Sequence, residues 1–118
     1  MRYFFILLVG LFCLASSQST EVDGQTDTNT ELESVLHKKA VAGHANAQYA
    51  LGLSYSIGKG VPEDFVEAYA WVNIAAAQGQ KEAIENRNLV KEPLDRASLS
   101  KAQERSREYF KKYVLQVQ

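Results

Sequence analysis

The sequence has 118 residues, which is enough for one domain. Its 13 basic and 14 acidic side chains give a formal net charge of −1, and this balance argues against a nucleic-acid-binding protein, which normally carries a strong basic excess. The only cysteine is Cys13, so the chain cannot form an internal disulfide or a cysteine-rich metal site.

The N-terminus has the pattern of a secretory signal peptide. Arg2 precedes an apolar run over residues 3–15, which is shorter than the roughly 20 residues that a membrane-spanning helix needs. Small side chains follow this run and suit a cut after Ser17. We therefore predict a signal peptide over residues 1–17, an exported protein that is periplasmic or secreted, and no stable membrane insertion after cleavage. An uncleaved anchor and a lipoprotein are the alternatives, although Phe12 is too bulky for the position before a lipid-carrying cysteine.

Residues 18–30 form a polar segment in which Val22 is the only apolar side chain. Too little apolar surface is available here to offset the entropy of ordering the chain. This composition predicts a flexible linker, and the alternative is an exposed lead-in to the folded domain. The domain itself is predicted over residues 31–117.

Two helices are predicted at the start of the domain. Thr30 and Glu33 have the spacing of a capping box, which favours a helix start at this point. Gly43 is suited to end this first helix, because glycine readily adopts the left-handed conformation found there. The second helix covers roughly residues 45–57 and ends at Gly58.

The third and fourth helices are delimited in the same way. Asp64 and Glu67 form a second possible capping box, and Gly79 ends the third helix. The fourth helix is predicted over residues 80–91, before Pro93. Along the third helix, the side chains expected to face the core are Phe65, Ala68, Trp71, Val72, Ala75 and Ala76.

The last helix is amphipathic. Ser100 and Gln103 make a third possible capping box, and the helix is predicted over about residues 99–116. Its inward face has the side chains Leu99, Ala102, Ser106, Tyr109, Phe110, Tyr113 and Val117. Its basic side chains are Lys101, Arg105, Arg107, Lys111 and Lys112. They predict a solvated surface, with a weak anionic contact as the alternative. No segment alternates as a strand does, so the predicted fold class is all-α.

The sequence repeats itself at a distance of 36 residues, at which Val35 aligns with Trp71 and Gly43 with Gly79. A period of about 20–50 residues is typical of stacked helix pairs. One full unit covers about residues 40–76, and partial units flank it on both sides. The positions that define the unit are Ala40, Gly43, Ala47, Leu51, Gly52, Tyr55, Gly58, Gly60, Asp64, Ala68, Trp71, Ala75 and Ala76.

This unit resembles the Sel1-like repeat (SLR), a branch of the tetratricopeptide-like helical-repeat superfamily. Glu67 stands where lysine is usual in that family. The second unit departs further, with Arg87, Asn88 and Lys91 where leucine, glycine and tyrosine are expected. The resemblance implies a short right-handed α-solenoid of antiparallel helix pairs, closed by the C-terminal helix. It also implies a scaffold or adaptor that works without a cofactor.

No pattern in the sequence predicts catalysis or metal binding. Gly58 and Lys59 resemble part of a phosphate-binding loop, but the spacing is wrong and Gly60 replaces the required serine or threonine. His37 and His44 lie on either side of a turn, without a cysteine or a paired carboxylate. We predict that the protein is not an enzyme and has no metal site. A catalytic site that converges from distant residues is the alternative.

A protein-binding groove is the preferred functional hypothesis, because in related repeats the second helix lines the inner face of the solenoid. The candidate groove positions on this helix and one repeat later are Asn46, Tyr49, Leu53, Ser56, Glu82, Glu85 and Leu89. Apolar side chains beside carboxylates suit a peptide segment that is both apolar and basic, supplied by another protein. The alternative for Tyr49 and Leu53 is that they pack on the first helix.

A domain this small is also a candidate for self-association. Repeat arrays usually need about three units to be stable alone, and this sequence has one full unit. Either the last helix closes the stack or a second copy covers an open end. A self-associating structural module of the cell envelope is therefore the runner-up hypothesis.

Overall fold

Helices follow one another throughout the part of the chain that the structure describes. The structure, a computed structural model, describes the backbone of residues 21–116 and the side chains of residues 30–116. The elements are α1 (Glu21–Val41), α2 (Ala45–Ile57), α3 (Phe65–Ala77), α4 (Lys81–Lys91), α5 (Arg96–Tyr109) and a π-helical turn that continues α5 (Phe110–Leu115). No strand occurs over residues 21–116, which confirms the predicted all-α class. The predicted signal peptide, residues 1–17, lies outside the described residues, and so does Val117.

The helices pack as a short solenoid around α3. α1 packs on α2, α2 on α3, and α3 on α4. α5 then turns back onto α3 and does not form the next helix pair with α4. The reason is that α4 buries only Ala83 and Val90, both of which pack in the core with α3, so it offers α5 little apolar surface. This arrangement confirms the predicted solenoid and the closing role of the C-terminal helix.

The first helix begins earlier than its capping signal predicts. Residues 21–30, which belong to the predicted linker, are already part of α1, so the helix start predicted at Thr30 is wrong. The rest of that linker, residues 18–20, lies outside the described part of the chain. Glu33 does not complete a capping box, because its side chain is buried and its Oε1 accepts a hydrogen bond from Ser54 Oγ at 2.6 Å.

The last helix also begins earlier than predicted. Asp95 is its N-cap, and the Asp95 carboxylate accepts a hydrogen bond from the backbone N–H of Ser98 at 2.7 Å. This bond holds the pKa of the Asp95 carboxyl below its usual range. The start predicted from Ser100 and Gln103 is wrong, since both residues already lie inside α5.

The third helix begins where its sequence predicts. The Asp64 carboxylate accepts hydrogen bonds from the backbone N–H groups of Val66 and Glu67, at 2.9 and 3.2 Å. The Glu67 side chain does not reach back to Asp64, because its carboxylate is bonded to Arg105 of α5. Gly58 ends α2 at a φ of 71°, in the left-handed region that glycine adopts without strain.

Trp71 lies at the centre of the core and joins three parts of the chain. Its ring stacks on Tyr113, with 5.5 Å between the ring centroids, and lies 4.7 Å from the ring of Tyr109. His37 of α1 meets the same ring edge-on at 6.2 Å. Of the core positions predicted on α3, all are buried except the half-buried Phe65. The other buried apolar side chains include Ala40, Leu51, Ala70, Ile74, Ala83, Val90, Ala102 and Val114.

The partial repeat on the N-terminal side does not bury its counterpart of Trp71. Val35 aligns with Trp71 in the sequence, yet it is exposed, and so is Leu32. α1 contributes Leu36 and Ala40 to the core instead. No described helix precedes α1, so this face of α1 has no neighbouring helix among the described residues.

Gly52 sets the distance between α2 and α3. A Cβ atom at this position would lie 2.7 Å from Cγ2 of Val72 and 3.0 Å from the carbonyl oxygen of Ala68. We expect Gly52→Ala to lower the free energy of unfolding by about 1–3 kcal/mol, because the two helices would have to separate. Urea titration followed by circular dichroism measures this loss. A gain in stability on Gly52→Ala would contradict the close approach of α2 to α3. Alanine in an unhindered helix interior stabilises by about 1 kcal/mol relative to glycine.

Candidate functional site

A groove of about 400 Å³ lies where α2, α4 and the start of α3 meet. Its lining residues are Tyr49, Leu53, Ser56, Phe65, Asn86, Leu89 and Val90. The predicted groove positions among them are Tyr49, Leu53, Ser56 and Leu89. We call this surface the α2–α4 groove.

Tyr49 is held against α4. Asn86 Nδ2 donates a hydrogen bond to the hydroxyl oxygen of Tyr49 at 2.8 Å. The Tyr49 side chain also packs against the core cluster to which Ala83 and Val90 belong. These contacts place Tyr49 against α4, whereas the alternative prediction packs it on the first helix.

Two leucines give the groove its exposed apolar surface. Leu53 on α2 is 36% exposed and Leu89 on α4 is 63% exposed. Removing apolar surface from water contributes about 25 cal/mol per Å². A partner that covers both side chains would therefore gain binding free energy from the hydrophobic effect.

The remaining predicted positions lie outside the groove lining. Gln80 Nε2 donates hydrogen bonds to Asn46 Oδ1 at 3.3 Å and to Glu82 Oε2 at 2.6 Å, so both side chains are tied to the start of α4. Glu85 is exposed on α4. The two glutamates supply negative charge on the helix that carries Leu89, but they do not line the groove.

Three lining residues are missing from the set predicted from the sequence. Phe65 is assigned there to the core, and Asn86 and Val90 are not singled out. The repeat period gives a partial indication of Asn86, because it aligns α2, which carries Tyr49, with α4, which carries Asn86. The period of 36 pairs Tyr49 with Glu85, but the residue bonded to Tyr49 is 37 positions away. The displacement by one residue depends on how α4 is rotated in the packed structure.

A partly buried carboxylate joins α3 to the closing helix. Glu67 forms an ion pair with Arg105 at 2.5 Å and accepts a hydrogen bond from the Tyr109 hydroxyl at 2.9 Å. Trp71 Nε1 donates a third bond to the same carboxylate at 3.2 Å. Glu67 stands where the family usually has lysine, and Arg105 on α5 supplies the complementary charge. The departure from the repeat pattern is thus matched by a residue of the closing helix.

Deprotonation of Tyr109 should weaken this contact at high pH. Burial raises the pKa of the Tyr109 hydroxyl above its ordinary value of 10.0, and the Glu67 carboxylate raises this pKa further. The folded state therefore holds the proton more tightly than the unfolded state. Its contribution to stability is fully present below about pH 10 and is lost as the pH rises towards the folded-state pKa.

We accordingly expect the free energy of unfolding to fall above about pH 10, and to fall less steeply in Tyr109→Phe. Burial also raises the pKa of Tyr55, so the variant should retain part of the alkaline loss. Denaturant titrations at about pH 9 and about pH 11 measure how much the free energy of unfolding falls in the native protein and in Tyr109→Phe. Identical slopes for the native protein and the variant would contradict the role of Tyr109.

The described residues provide no metal centre. Among them, no group of three or more His, Cys, Asp or Glu side chains is placed to hold a metal ion. His44 is the N-cap residue of α2, and the His37 ring forms a T-shaped contact with the Trp71 ring. Neither histidine lines the α2–α4 groove. In the same part of the chain, no helix combines the length and the apolarity needed to cross a membrane.

The fold is similar to that of a solved repeat protein. The structure matches the crystal structure of a protective antigen of uropathogenic Escherichia coli strains that displays an SLR fold, with a TM-score of 0.71 and 31% sequence identity. This chain has an SLR-like fold. The similarity covers 75% of this chain and 19% of the antigen, so this chain spans about a fifth of the antigen's length. The chain matches no family model and no curated protein.

This similarity confirms the predicted resemblance to the SLR fold and the short α-solenoid that the resemblance implies. Helical-repeat folds stack their units into extended surfaces, and these surfaces usually mediate contacts between proteins. The similar structure is that of a protective antigen with a repeat fold.

Proposed function

We propose that this chain is a protein-binding adaptor whose α2–α4 groove takes a peptide segment that is both apolar and basic. The observation that carries the proposal is the pair of exposed leucines, Leu53 and Leu89, at a groove of about 400 Å³. Grooves between helices commonly bind a partner segment through apolar side chains that enter the groove.

The groove has one wall in place before a partner arrives. Asn86 fixes the hydroxyl of Tyr49, and the Tyr49 ring packs against the core. A side chain that is already ordered loses less conformational entropy on binding than a mobile one. Tyr49 therefore supports recognition at a lower entropic cost than the two exposed leucines.

Charge on α4 favours a basic partner. Glu82, Glu85 and Glu92 are exposed on or next to this helix. Its cations are Lys81 and Lys91 at the two ends and Arg87, which points to Asn73 of α3 and away from the groove lining. Exposed charges at the rim of an interface mainly affect the association rate and its salt dependence. We therefore expect a partner segment with lysine or arginine beside its apolar residues, and binding that weakens as salt is added.

Site-specific crosslinking in cells tests the proposal. A photo-crosslinking amino acid in place of Leu89 should capture the molecule that contacts the groove, and mass spectrometry should locate the crosslinked segment. We expect a protein segment with both apolar and basic residues. The same capture should be lost in a Tyr49→Ala/Leu53→Ala variant that retains its helical circular dichroism.

The matched control is Leu32→Ala/Val35→Ala, which removes exposed apolar surface from α1 and leaves the groove intact. The control should capture the same segment as the native protein. Equal capture by the groove variant, or equal loss in the control, would contradict the proposal.

We also propose that the protein is exported and works in the periplasm or outside the cell. The support is the signal-peptide pattern of residues 1–17. Cell fractionation followed by N-terminal sequencing tests this: the expected protein lies outside the cytoplasm and begins at Gln18. A cytoplasmic protein that retains Met1 would contradict export.

A further inference from the structure

A second groove lies between α3 and the C-terminal part of α5, including the π-helical turn. Its volume is about 290 Å³, and its apolar floor consists of Ile74, Ala77, Phe110 and Leu115. We call it the α3–α5 groove. Leu115 is 56% exposed, whereas Ile74 is fully buried, so Leu115 offers exposed apolar surface at this groove.

The π-helical turn shapes this groove. A π-helix takes more residues per turn than an α-helix, and such turns are frequent at functional sites. Within this turn Val114 is buried in the protein, whereas the next residue, Leu115, lines the groove. The turn also includes Phe110, so it supplies two of the four floor residues.

The rim of the α3–α5 groove is basic. Arg107 and Lys111 line it, and no carboxylate does. Arg87 of α4 donates a long hydrogen bond to Asn73 Oδ1 at 3.4 Å, and Asn73 is also a lining residue. The ion pair found among the described residues is that of Glu67 with Arg105, so neither Arg107 nor Lys111 is neutralised by an ion pair in that part of the chain.

The complementary surface is present on the same chain. Leu89 is exposed on α4, with Glu85 four positions before it and Glu92 three positions after it. Residues at these spacings share one face of a helix. This acidic strip, formed by Glu85, Leu89 and Glu92, borders the α2–α4 groove and has an apolar centre with a negative rim. The α3–α5 groove has an apolar centre with a positive rim.

We propose that the partner of the α2–α4 groove is a second copy of this chain, whose α3–α5 groove and basic rim meet Leu89 and the carboxylates beside it. The segment offered by that copy, residues 107–115, is both apolar and basic, as the proposed function requires. This inference rests on the proposed function, since it names the partner of the same groove.

The two surfaces differ, so the contact is heterologous. Contacts of this kind join copies head to tail and give either a closed ring or an open filament. Both grooves are small, which places the interface among the weak and transient ones. The attraction between exposed charges should be screened by salt. Assembly therefore increases with protein concentration and decreases with ionic strength.

Sedimentation of the protein purified from cells that express the full chain tests this directly. The average mass of the native protein should rise with concentration at low salt and fall when salt is added. Arg107→Glu/Lys111→Glu reverses the basic rim, and Glu85→Lys/Glu92→Lys reverses the acidic strip. Each double variant alone should associate more weakly than the native protein, by about tenfold at least.

Mixing the two reversed variants provides the decisive control. The first retains a native acidic strip and the second a native basic rim, so the mixture should regain the native interface. Recovery in the mixture cannot result from misfolding of either variant. Lys38→Glu/Lys101→Glu changes the same net charge at exposed positions outside both groove linings and outside residues 107–115, and should leave association unchanged.

The possible outcomes separate this inference from the proposed function. The native protein could stay monomeric at all concentrations while crosslinking at position 89 captures a different protein. That result overturns the proposal that the partner is a second copy and leaves the adaptor function intact. Both the second copy and the adaptor function are overturned if two results occur together. Neither charge-reversal variant weakens self-association, and Tyr49→Ala/Leu53→Ala captures as much crosslinked partner as the native protein. Weakening by each reversal and recovery in the mixture supports both.

Discussion

Replacing Trp71 by alanine should lower the free energy of unfolding by about 3–5 kcal/mol, the usual loss for a fully buried aromatic side chain. The ring is buried and stacks on Tyr113 and Tyr109, so its removal leaves a cavity between α3 and the closing helix. It also removes one donor to the Glu67 carboxylate. Domains have about 5–15 kcal/mol of stability in total, so a domain this small should be largely unfolded by the change.

Urea titration followed by far-ultraviolet circular dichroism is the suitable measurement, because the chain has a single tryptophan and the variant therefore has no indole fluorescence. Leu89→Ala is the control, since Leu89 is exposed and its truncation should change the stability by about 0.5 kcal/mol or less. If Trp71→Ala unfolds cooperatively with the same midpoint urea concentration as the native protein, Trp71 does not hold the core together.

Replacing Glu67 by lysine, the residue usual in the family, should destabilise this chain by about 2–3 kcal/mol. The change removes the acceptor of Arg105, Tyr109 and Trp71 and places a second cation beside Arg105. Breaking a fully buried ion pair costs about 3–5 kcal/mol. The Glu67 and Arg105 side chains are 15% and 30% exposed, so water screens part of the interaction and the expected loss is smaller.

A double-mutant cycle separates the ion pair from the other effects of this change. Glu67→Lys/Arg105→Glu restores opposite charges across the same contact and should recover part of the lost stability. Glu67→Gln keeps an oxygen that Tyr109 and Trp71 can donate to, so it should cost less than Glu67→Lys. The interpretation would fail if Glu67→Lys were as stable as the native protein, or if reversing both charges recovered nothing.

The local parts of the fold could be predicted from the sequence. Asp64 caps α3 as its position indicates, and α3 buries all the side chains expected to face the core except Phe65, which is half-buried. Both predictions depend on spacings of three or four residues, which are set by the geometry of a single helix. The repeat period likewise aligned α2 with α4, and these two helices line the same groove in the structure.

The same local signals failed where a residue had a second use. Thr30 and Glu33 have the spacing of a capping box, but Glu33 is bonded to Ser54 of the neighbouring helix. Ser100 and Gln103 have the same spacing inside a helix that Asp95 has already capped. A capping pattern is also compatible with the interior of a helix, and the choice between the two depends on contacts distant in the sequence.

The sequence by itself determined the all-α class, the repeat register and most of the core face of α3. It suggested Tyr49, Leu53, Ser56 and Leu89 as groove positions, with packing of Tyr49 and Leu53 on the first helix as the alternative. These features follow from helix periodicity and from the repeat distance. The tertiary structure alone decided that α5 packs on α3, that Asn86 rather than Glu85 meets Tyr49, and that a basic groove opens beside the π-helical turn. The physical reason is that each of these depends on how helices rotate and shift to bury their side chains together, and spacing along one helix carries no information on that choice.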